Sequence, residues 1–164
     1  MSLAVVQSRI DMQAIQDHYP AEFAHCYGCG PANPQGLHLK SFIEGERTHA
    51  RFSPATMYSG GYPGNVYGGM LASLLDCHGT ASAAAFAYRV QGRVMGDGGP
   101  PIRFVTGSLK VDYRRPTPLG VELLIEGTLR SLEGRKAIID LTLSAGGEVC
   151  VTGEMVAVQF AAKA

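Results

Sequence analysis

The sequence predicts an α+β domain in which a curved antiparallel sheet wraps around one long central helix. The first observation is an apolar segment, Val66 to Tyr88, that can continue as helix throughout its length. The second is a series of four strand-like segments that follows it, joined by short connections. A helix that is apolar on nearly every side is typical of one buried inside other structure, and a sheet is the natural cover.

The chain before this helix is predicted to form a short helix, a turn-rich stretch and a hairpin. Residues Arg9 to His18 have a helical pattern, and Cys26 to Gly36 is rich in glycine, proline and asparagine. Leu37 to Glu44 and Arg47 to Phe52 flank a turn at Glu44-Gly45-Glu46, which is typical of a β-hairpin.

The chain after the helix is predicted to form the rest of the sheet. Its strand-like segments are Arg103 to Arg114, Leu119 to Arg130, Lys136 to Ala145 and Glu148 to Phe160. The connections contain Pro116-Thr117-Pro118, Glu133-Gly134 and Gly146-Gly147. Connections this short predict that consecutive strands pair antiparallel as a meander.

Composition limits the class of protein. The 164 residues are 46% hydrophobic, which suffices for one core, and we divide the chain into a helical lead-in, residues 1–25, and one domain, residues 26–164. The net charge is zero, so a nucleic-acid-binding function is not expected. No apolar segment resembles a membrane span or a secretion signal. We therefore expect a cytoplasmic protein without a membrane partner.

One cysteine pattern, Cys26-Tyr27-Gly28-Cys29, raises the question of a metal site. Zinc would need two further ligands, for which His18, His25 and His38 are the candidates. A thioredoxin-type redox function is not supported, because Gly30-Pro31 follows the second cysteine instead of a helix. The pattern is interpreted as a tight turn with buried thiols, and no metal or cofactor is predicted.

The start of the long helix has the features of an oxyanion-binding site. Asn65 is a good N-cap residue, and the first-turn amides of a helix have no intrahelical acceptor. Gly68 and Gly69 lack a Cβ, so a substrate oxygen can approach their N–H groups, where the helix dipole favours negative charge. Asp76, further along, is flanked by apolar residues and is predicted to be a buried catalytic carboxylate.

Helix geometry separates these two groups. Asp76 follows Gly68 by eight residue steps, which places the carboxylate about 12 Å along the axis. A carbonyl held roughly 3 Å from the Gly68 amide can therefore meet an Asp76 only from a second helix running antiparallel. The predicted site requires a homo-oligomer, either a dimer or a dimer of dimers.

Other polar residues near the helix are candidates for binding the substrate. Ser73 and Thr80 lie one turn on either side of Asp76 and either donate to its carboxylate or bond back to helix carbonyls. Asn65 is expected to cap the helix, while Tyr67 either orients a substrate or fills space at the helix start. His78 lies on the side opposite Asp76 and is expected in the core.

Three motifs resemble the hotdog-fold thioesterase superfamily, in particular acyl-CoA thioesterases of the phenylacetate-pathway type (PaaI-like). Tyr67-Gly68-Gly69 and Asp76 keep the spacing of that group's His-Gly-Gly motif and its acidic residue, with tyrosine in place of histidine. The stretch from Cys26 to Leu37 is similar to the opening of many members of this group. The stretch from Val111 to Pro116 is similar to the strand that follows their central helix. The resemblance covers about Cys26 to Phe160.

The resemblance implies hydrolysis of acyl-CoA to a free acid and CoA, with no cofactor beyond the CoA of the substrate. It implies that the Gly68 amide polarises the thioester carbonyl while the neighbouring subunit's Asp76 acts as nucleophile or as base for water. Arg114 and Arg115 are candidates for binding the CoA phosphates. Two alternatives stay open. One is a hotdog hydratase or dehydratase that uses His78, and the other is a non-catalytic acyl-CoA-binding module.

Overall fold

A computed structural model describes residues 13–161 of the chain. Its strands are β1 (Ser41–Glu44), β2 (Arg47–Phe52), β3 (Phe104–Tyr113), β4 (Leu123–Glu133), β5 (Lys136–Ala145) and β6 (Glu148–Gln159), and its long helix is α1 (Gly68–Val90). All strand pairs are antiparallel, in the order β1-β2-β4-β5-β6-β3. The sheet curves around α1 without closing, which is the hotdog fold that the sequence predicted.

The sheet encloses the helix because apolar residues of α1 pack against apolar residues of the strands. Leu74 and Leu75 on α1 are almost fully buried, as are Leu141 on β5 and Met155 on β6. Gly127 on β4 allows close approach, since a Cβ there would lie 2.6 Å from the Thr48 hydroxyl. Burial of this apolar surface is the main stabilising contribution to the fold.

The position of β3 differs from the predicted meander. β4, β5 and β6 follow one another as predicted, but β3 pairs with β6 at the edge of the sheet and not with β4. The connection after β3 pairs with the residues that precede α1: Val66 N–H donates to the Thr117 carbonyl (2.8 Å), and Leu119 N–H donates to the Gly64 carbonyl (2.8 Å). This segment is therefore a crossover, and β4 begins at Leu123 instead of the predicted Leu119.

The start of α1 also differs from the prediction. The N-cap residue is Tyr67, without a side-chain cap, so the predicted N-cap at Asn65 is wrong. The reason is that this segment is held extended by backbone hydrogen bonds. Gly60 N–H donates to the Asn65 carbonyl (2.7 Å), and Tyr67 N–H donates to the Tyr58 carbonyl (3.0 Å).

The lead-in packs onto the domain. Of the predicted helix Arg9 to His18, residues 9–12 lie outside the described residues, and the rest contains a single 3-10 turn, Ile15–His18. Ile15 and Gln16 are buried, and the Gln16 side chain exchanges two hydrogen bonds with Ser41 (3.2 and 2.8 Å). The division at residues 25 and 26 stays a prediction.

Within residues 13–161, no helix is both long enough and apolar enough to cross a membrane.

Candidate active site

The first turn of α1 presents two free backbone amides. Met70 N–H donates to the Tyr67 carbonyl (3.1 Å), and Tyr67 N–H donates to the Tyr58 carbonyl (3.0 Å). For the Gly68 and Gly69 N–H groups, no hydrogen-bond acceptor occurs among the described residues. Two adjacent donors at the positive end of a helix dipole can bind an oxyanion, and the predicted role of these amides stays a prediction.

Two tyrosines pack closely against these glycines. A Cβ at Gly69 would lie 2.4 Å from the Tyr67 ring, and a Cβ at Gly68 would lie 3.2 Å from the Tyr113 ring. The Tyr113 hydroxyl donates to the Gly68 carbonyl at 2.8 Å. Tyr67 is 43% exposed and therefore covers the helix start while keeping one ring face in solvent. Tyr113 ties the helix start to the edge strand β3.

Asp76 is held by a residue that the sequence analysis did not identify. Thr106 on β3 donates a hydrogen bond from its hydroxyl to Asp76 Oδ1 (2.5 Å). The register of β3 shifts between Thr106 and Ser108, a β-bulge at Gly107 that aims the threonine at the helix. Asp76 is half-buried in the single chain, not fully buried as predicted. Thr106 gave no signal in the sequence because its role depends on the pairing of distant strands.

The two hydroxyls on either side of Asp76 bond within the helix. Ser73 donates to the Gly69 carbonyl (2.8 Å), and Thr80 donates to the carbonyls of Asp76 (3.3 Å) and Cys77 (3.2 Å). This is the back-bonded arrangement of helical serine and threonine. Their part in binding a substrate stays a prediction, as does that of Asn65, whose side chain is half-buried beside the helix start.

His78 belongs to a closed polar network in the core. It is fully buried, with Nδ1 2.9 Å from Ser41 Oγ and Nε2 3.1 Å from Thr48 Oγ1, while Ser82 Oγ lies 2.5 Å from the same threonine oxygen. Burial lowers the pKa of His78 to about 3, so the imidazole is neutral and uses both nitrogens for hydrogen bonds. The expectation of a core histidine is confirmed.

The two candidate phosphate-binding arginines line a cleft beside the helix start. The cleft has a volume of about 450 Å³ and also reaches Gly68, but Asp76 of the same chain does not line it. Arg114 is anchored through Nε to the Thr152 hydroxyl (3.2 Å), whereas Arg115 forms an ion pair with Glu148 (2.8 Å). A larger cavity, about 550 Å³, lies by the other end of α1 and contains none of the predicted site residues.

The cysteines lie in an arrangement that the sequence analysis missed. The turn at Cys26 is confirmed, since Gly30 N–H donates to the Cys26 carbonyl (2.8 Å). Cys29 is buried as predicted, but Cys26 is exposed. Cys77 of α1 joins them, and the three sulfurs lie within 4.8 Å of one another. None of the three histidines considered as ligands belongs to this group, which we call the thiol cluster.

Comparison with known proteins identifies the family. Residues 63–156 match the family model described as the thioesterase superfamily. The match covers more than half of the chain and includes α1 with its glycine start and Asp76. The chain belongs to the thioesterase superfamily.

Sequence relatives agree with this assignment. The chain is similar to acyl-coenzyme A thioesterase THEM4 of Rattus norvegicus, with 33% identity over 88 residues, which is 54% of this chain and 32% of that protein. The chain thus spans about a third of the length of the curated relatives that it matches. The similarity concerns the folded domain and not the whole of the relative.

Solved structures share the fold. A thioesterase superfamily protein from Shewanella loihica is 41% identical, with a TM-score of 0.66 over 89% of this chain and 99% of that one. The PaaI protein of the E. coli phenylacetic acid degradation operon has a TM-score of 0.62 at 13% identity, over 77% of this chain and 83% of that one. A hypothetical thioesterase protein with coenzyme A from Streptococcus pneumoniae has a TM-score of 0.59 at 14% identity, over 73% of this chain and 86% of that one. The resemblance to PaaI-like hotdog thioesterases is confirmed.

Proposed function

We propose that this protein hydrolyses acyl-CoA thioesters at a site shared between two subunits of a homodimer. Water adds across the carbon–sulfur bond, which yields a carboxylic acid and the free thiol of CoA. The reaction as proposed uses no metal or redox cofactor. We place it in the cytoplasm, because all four cysteines are free thiols, as expected in a reducing compartment.

The observation that carries the proposal is the pair of free amides at Gly68 and Gly69. A thioester carbonyl acquires negative charge when it is attacked, and donors already aimed at that oxygen lower the barrier without reorganising. Because the donors are backbone groups, tyrosine in place of the family's histidine at position 67 leaves them intact. Loss of one such donor typically costs about a hundredfold in rate.

Attack on the thioester carbonyl is assigned to Asp76. Its carboxylate, fixed through Oδ1 by Thr106, acts either as nucleophile or as the base that activates water. On one helix it lies about 12 Å from the Gly68 amide along the axis, too far to act on a carbonyl bound there. We therefore assign the attack to Asp76 of the partner subunit.

The edge strand β3 supports a way to assemble such a dimer. It is ten residues long, pairs with β6 alone within the described part of the chain, and leaves Val105 50% exposed. An unprotected edge of this length is a template for pairing with another chain. Antiparallel pairing of two β3 strands about a twofold axis would extend the sheet through both subunits and set the two α1 helices antiparallel.

The same strand holds both halves of the site. Tyr113 near one end of β3 contacts Gly68, and Thr106 near the other end contacts Asp76. Pairing centred between Leu109 and Lys110 would bring Tyr113 of one subunit opposite the partner's Thr106. The partner's Asp76 would then face the free amides, and its half-exposed carboxylate would become buried.

Binding of the CoA portion is assigned to the cleft beside the helix start. It joins Gly68 to Arg114 and Arg115, whose guanidinium groups match phosphate geometry. Among residues 13–161, Arg114 has a hydrogen-bond partner only for Nε, which donates to Thr152, so its terminal nitrogens are available to a phosphate. The coenzyme A in the Streptococcus pneumoniae structure and the name of the rat relative support this class of substrate.

The hydratase alternative finds no support. It would require His78 to reach a substrate, but the imidazole is fully buried and both its nitrogens are hydrogen-bonded to Ser41 and Thr48. A binding module without catalysis stays as the competing outcome of the experiment below.

The proposal is tested by measuring thiol release from short, medium and aromatic acyl-CoAs. We expect turnover on at least one class, and a loss of at least about a hundredfold in kcat/KM for Asp76→Ala. Asp140→Ala is the matched control, because Asp140 is a carboxylate on β5 paired with Arg130 (3.0 Å) away from the site.

Size-exclusion chromatography accompanies the assay to verify that Asp76→Ala keeps the oligomeric state of the unmodified protein. Hydrolysis at the original rate in Asp76→Ala would remove this residue from the mechanism. Tight binding of acyl-CoA without thiol release would identify a binding module instead.

A further inference from the structure

The thiol cluster is separate from the proposed acyl site. Cys77 follows Asp76 in α1 but is buried on another side of the helix, against the turn that carries Cys26 and Cys29. Cys26 and Cys77 are 51 positions apart along the chain, yet their Sγ atoms lie 3.7 Å from each other. Nothing in the proposed hydrolysis uses these three sulfurs.

The spacing of the sulfurs matches that of ligands around one ion. A zinc–sulfur bond is about 2.3 Å, so two thiolates on a tetrahedral zinc lie about 3.8 Å apart. The Cys26–Cys77 distance of 3.7 Å agrees with this value, and all three sulfurs lie within 4.8 Å. A disulfide would need a sulfur–sulfur distance near 2.0 Å.

The local backbone is shaped for close approach of the sulfurs. A Cβ at Gly28 would lie 2.3 Å from Cys77 Sγ, and a Cβ at Gly30 would lie 2.3 Å from the Cys26 amide nitrogen. Glycine at these two positions therefore lets the turn bring its sulfurs close to that of Cys77.

The cluster is open on one side. Cys26 is exposed, whereas Cys29 and Cys77 are buried. An incoming cation therefore meets the Cys26 sulfur first.

We propose that Cys26, Cys29 and Cys77 bind one zinc ion through their sulfurs. In the part of the chain that the structure describes, no further histidine, cysteine or carboxylate joins the group, so the fourth position is assigned to solvent beside Cys26. The three thiols release their protons as the metal binds. The ion would join the lead-in turn to α1 next to Asp76. This proposal departs from the sequence-based prediction of no metal site.

The test is metal analysis of the full chain expressed with added zinc and purified with a reductant. Elemental mass spectrometry should find about one zinc per chain in the unmodified protein, and Co²⁺ replacement should give a thiolate-to-cobalt charge-transfer band. Cys29→Ser and Cys77→Ser should lose both signals. Cys150→Ser is the matched control, because Cys150 is buried but lies outside the cluster, and it should retain both.

A second measurement keeps the proposal testable if the serine variants fold poorly. Chelation of zinc from the unmodified protein should lower its Tm, and re-addition should restore it, because an ion that binds only the folded state stabilises that state. Protein without bound zinc and without the cobalt band would overturn the proposal. So would zinc retained in both serine variants, or a disulfide that removes two of the four free thiols.

Discussion

At the residue scale, Gly68 and Gly69 serve both packing and the proposed chemistry. A tyrosine ring packs against each of them. A Cβ at Gly68 would lie 3.2 Å from the Tyr113 ring, and a Cβ at Gly69 would lie 2.4 Å from the Tyr67 ring. Their amides meanwhile have no acceptor within the described chain. Packing therefore requires glycine at position 69 and leaves little room for a side chain at position 68, while the two N–H groups supply the donors of the proposed chemistry.

His78 has a structural role at the same scale. Its folded-state pKa of about 3 lies below the ordinary value of 6.5 because burial disfavours the charged ring. Between these two values the unfolded chain binds a proton that the folded chain does not. Stability from this position is therefore complete above about pH 6.5 and falls as the pH decreases below that value.

We predict that replacing His78 flattens the acid side of the stability profile. Urea denaturation from about pH 8 to about pH 5 should show a free energy of unfolding that decreases by up to about 1.4 kcal/mol per pH unit from this group. His78→Gln should lose this part of the slope, whatever its overall stability. His25→Gln, at an exposed position, should keep it. An unchanged slope in His78→Gln would show that the imidazole does not resist protonation.

At the scale of secondary-structure elements, the edge strand β3 organises the site. Its bulge at Gly107 aims Thr106 at Asp76, and its other end places Tyr113 against Gly68. Bulges often re-aim side chains next to active sites. In the proposed mechanism, Thr106 is a positioning residue that acts through the Asp76 carboxylate.

We predict that Thr106→Val lowers kcat by about tenfold to a hundredfold with little change in KM. The removed hydrogen bond has a charged acceptor and contributes about 1.5–3 kcal/mol. Thr106→Ser should restore most of the activity, since it keeps the hydroxyl. Thr142→Val on β5, matched in chemistry and remote from Asp76, should behave as the unmodified enzyme. Equal activity of the valine and serine variants would show that the bond does not contribute.

Local patterns predicted most elements of this fold. β5 occupies Lys136–Ala145 as predicted, because alternating residues and glycine turns set its ends locally. The position of β3 beside β6 was not predicted, since it depends on the pairing of the Thr117 segment with the helix start. Asp76 and the glycine pair were identified from helix spacing, whereas Thr106 and Cys77 were missed. Each acquires its neighbours from a distant part of the chain.

At the scale of the whole molecule, one chain contains half of each proposed site. The arginine cleft reaches Gly68 but not the same chain's Asp76, and both groups are attached to the unpaired edge strand β3. A twofold dimer through that edge gives two equivalent sites, each with the amides of one subunit and the partner's Asp76. The account therefore predicts that two different inactive chains can complement each other.

The complementation experiment needs a chain that lacks the Gly68 N–H, and a substitution at the helix start can provide it. Gly68→Pro removes the N–H at the first helical position, where proline is tolerated, and Tyr67 already has an extended backbone (φ −68°, ψ 143°) that suits a following proline. Gly68→Ala adds the same Cβ near Tyr113 but keeps the N–H, so it is the matched control. Thiol release should be lost in the proline variant and largely kept in the alanine variant.

The most direct measurement is thiol release from co-expressed Asp76→Asn and Gly68→Pro chains, purified together with two different tags. In a mixed dimer, the Gly68 amide of the first chain and Asp76 of the second form one intact site. The account predicts about half of the unmodified activity per mixed dimer, although each variant alone is inactive. Mixed dimers no more active than the two separate variants would contradict the shared site.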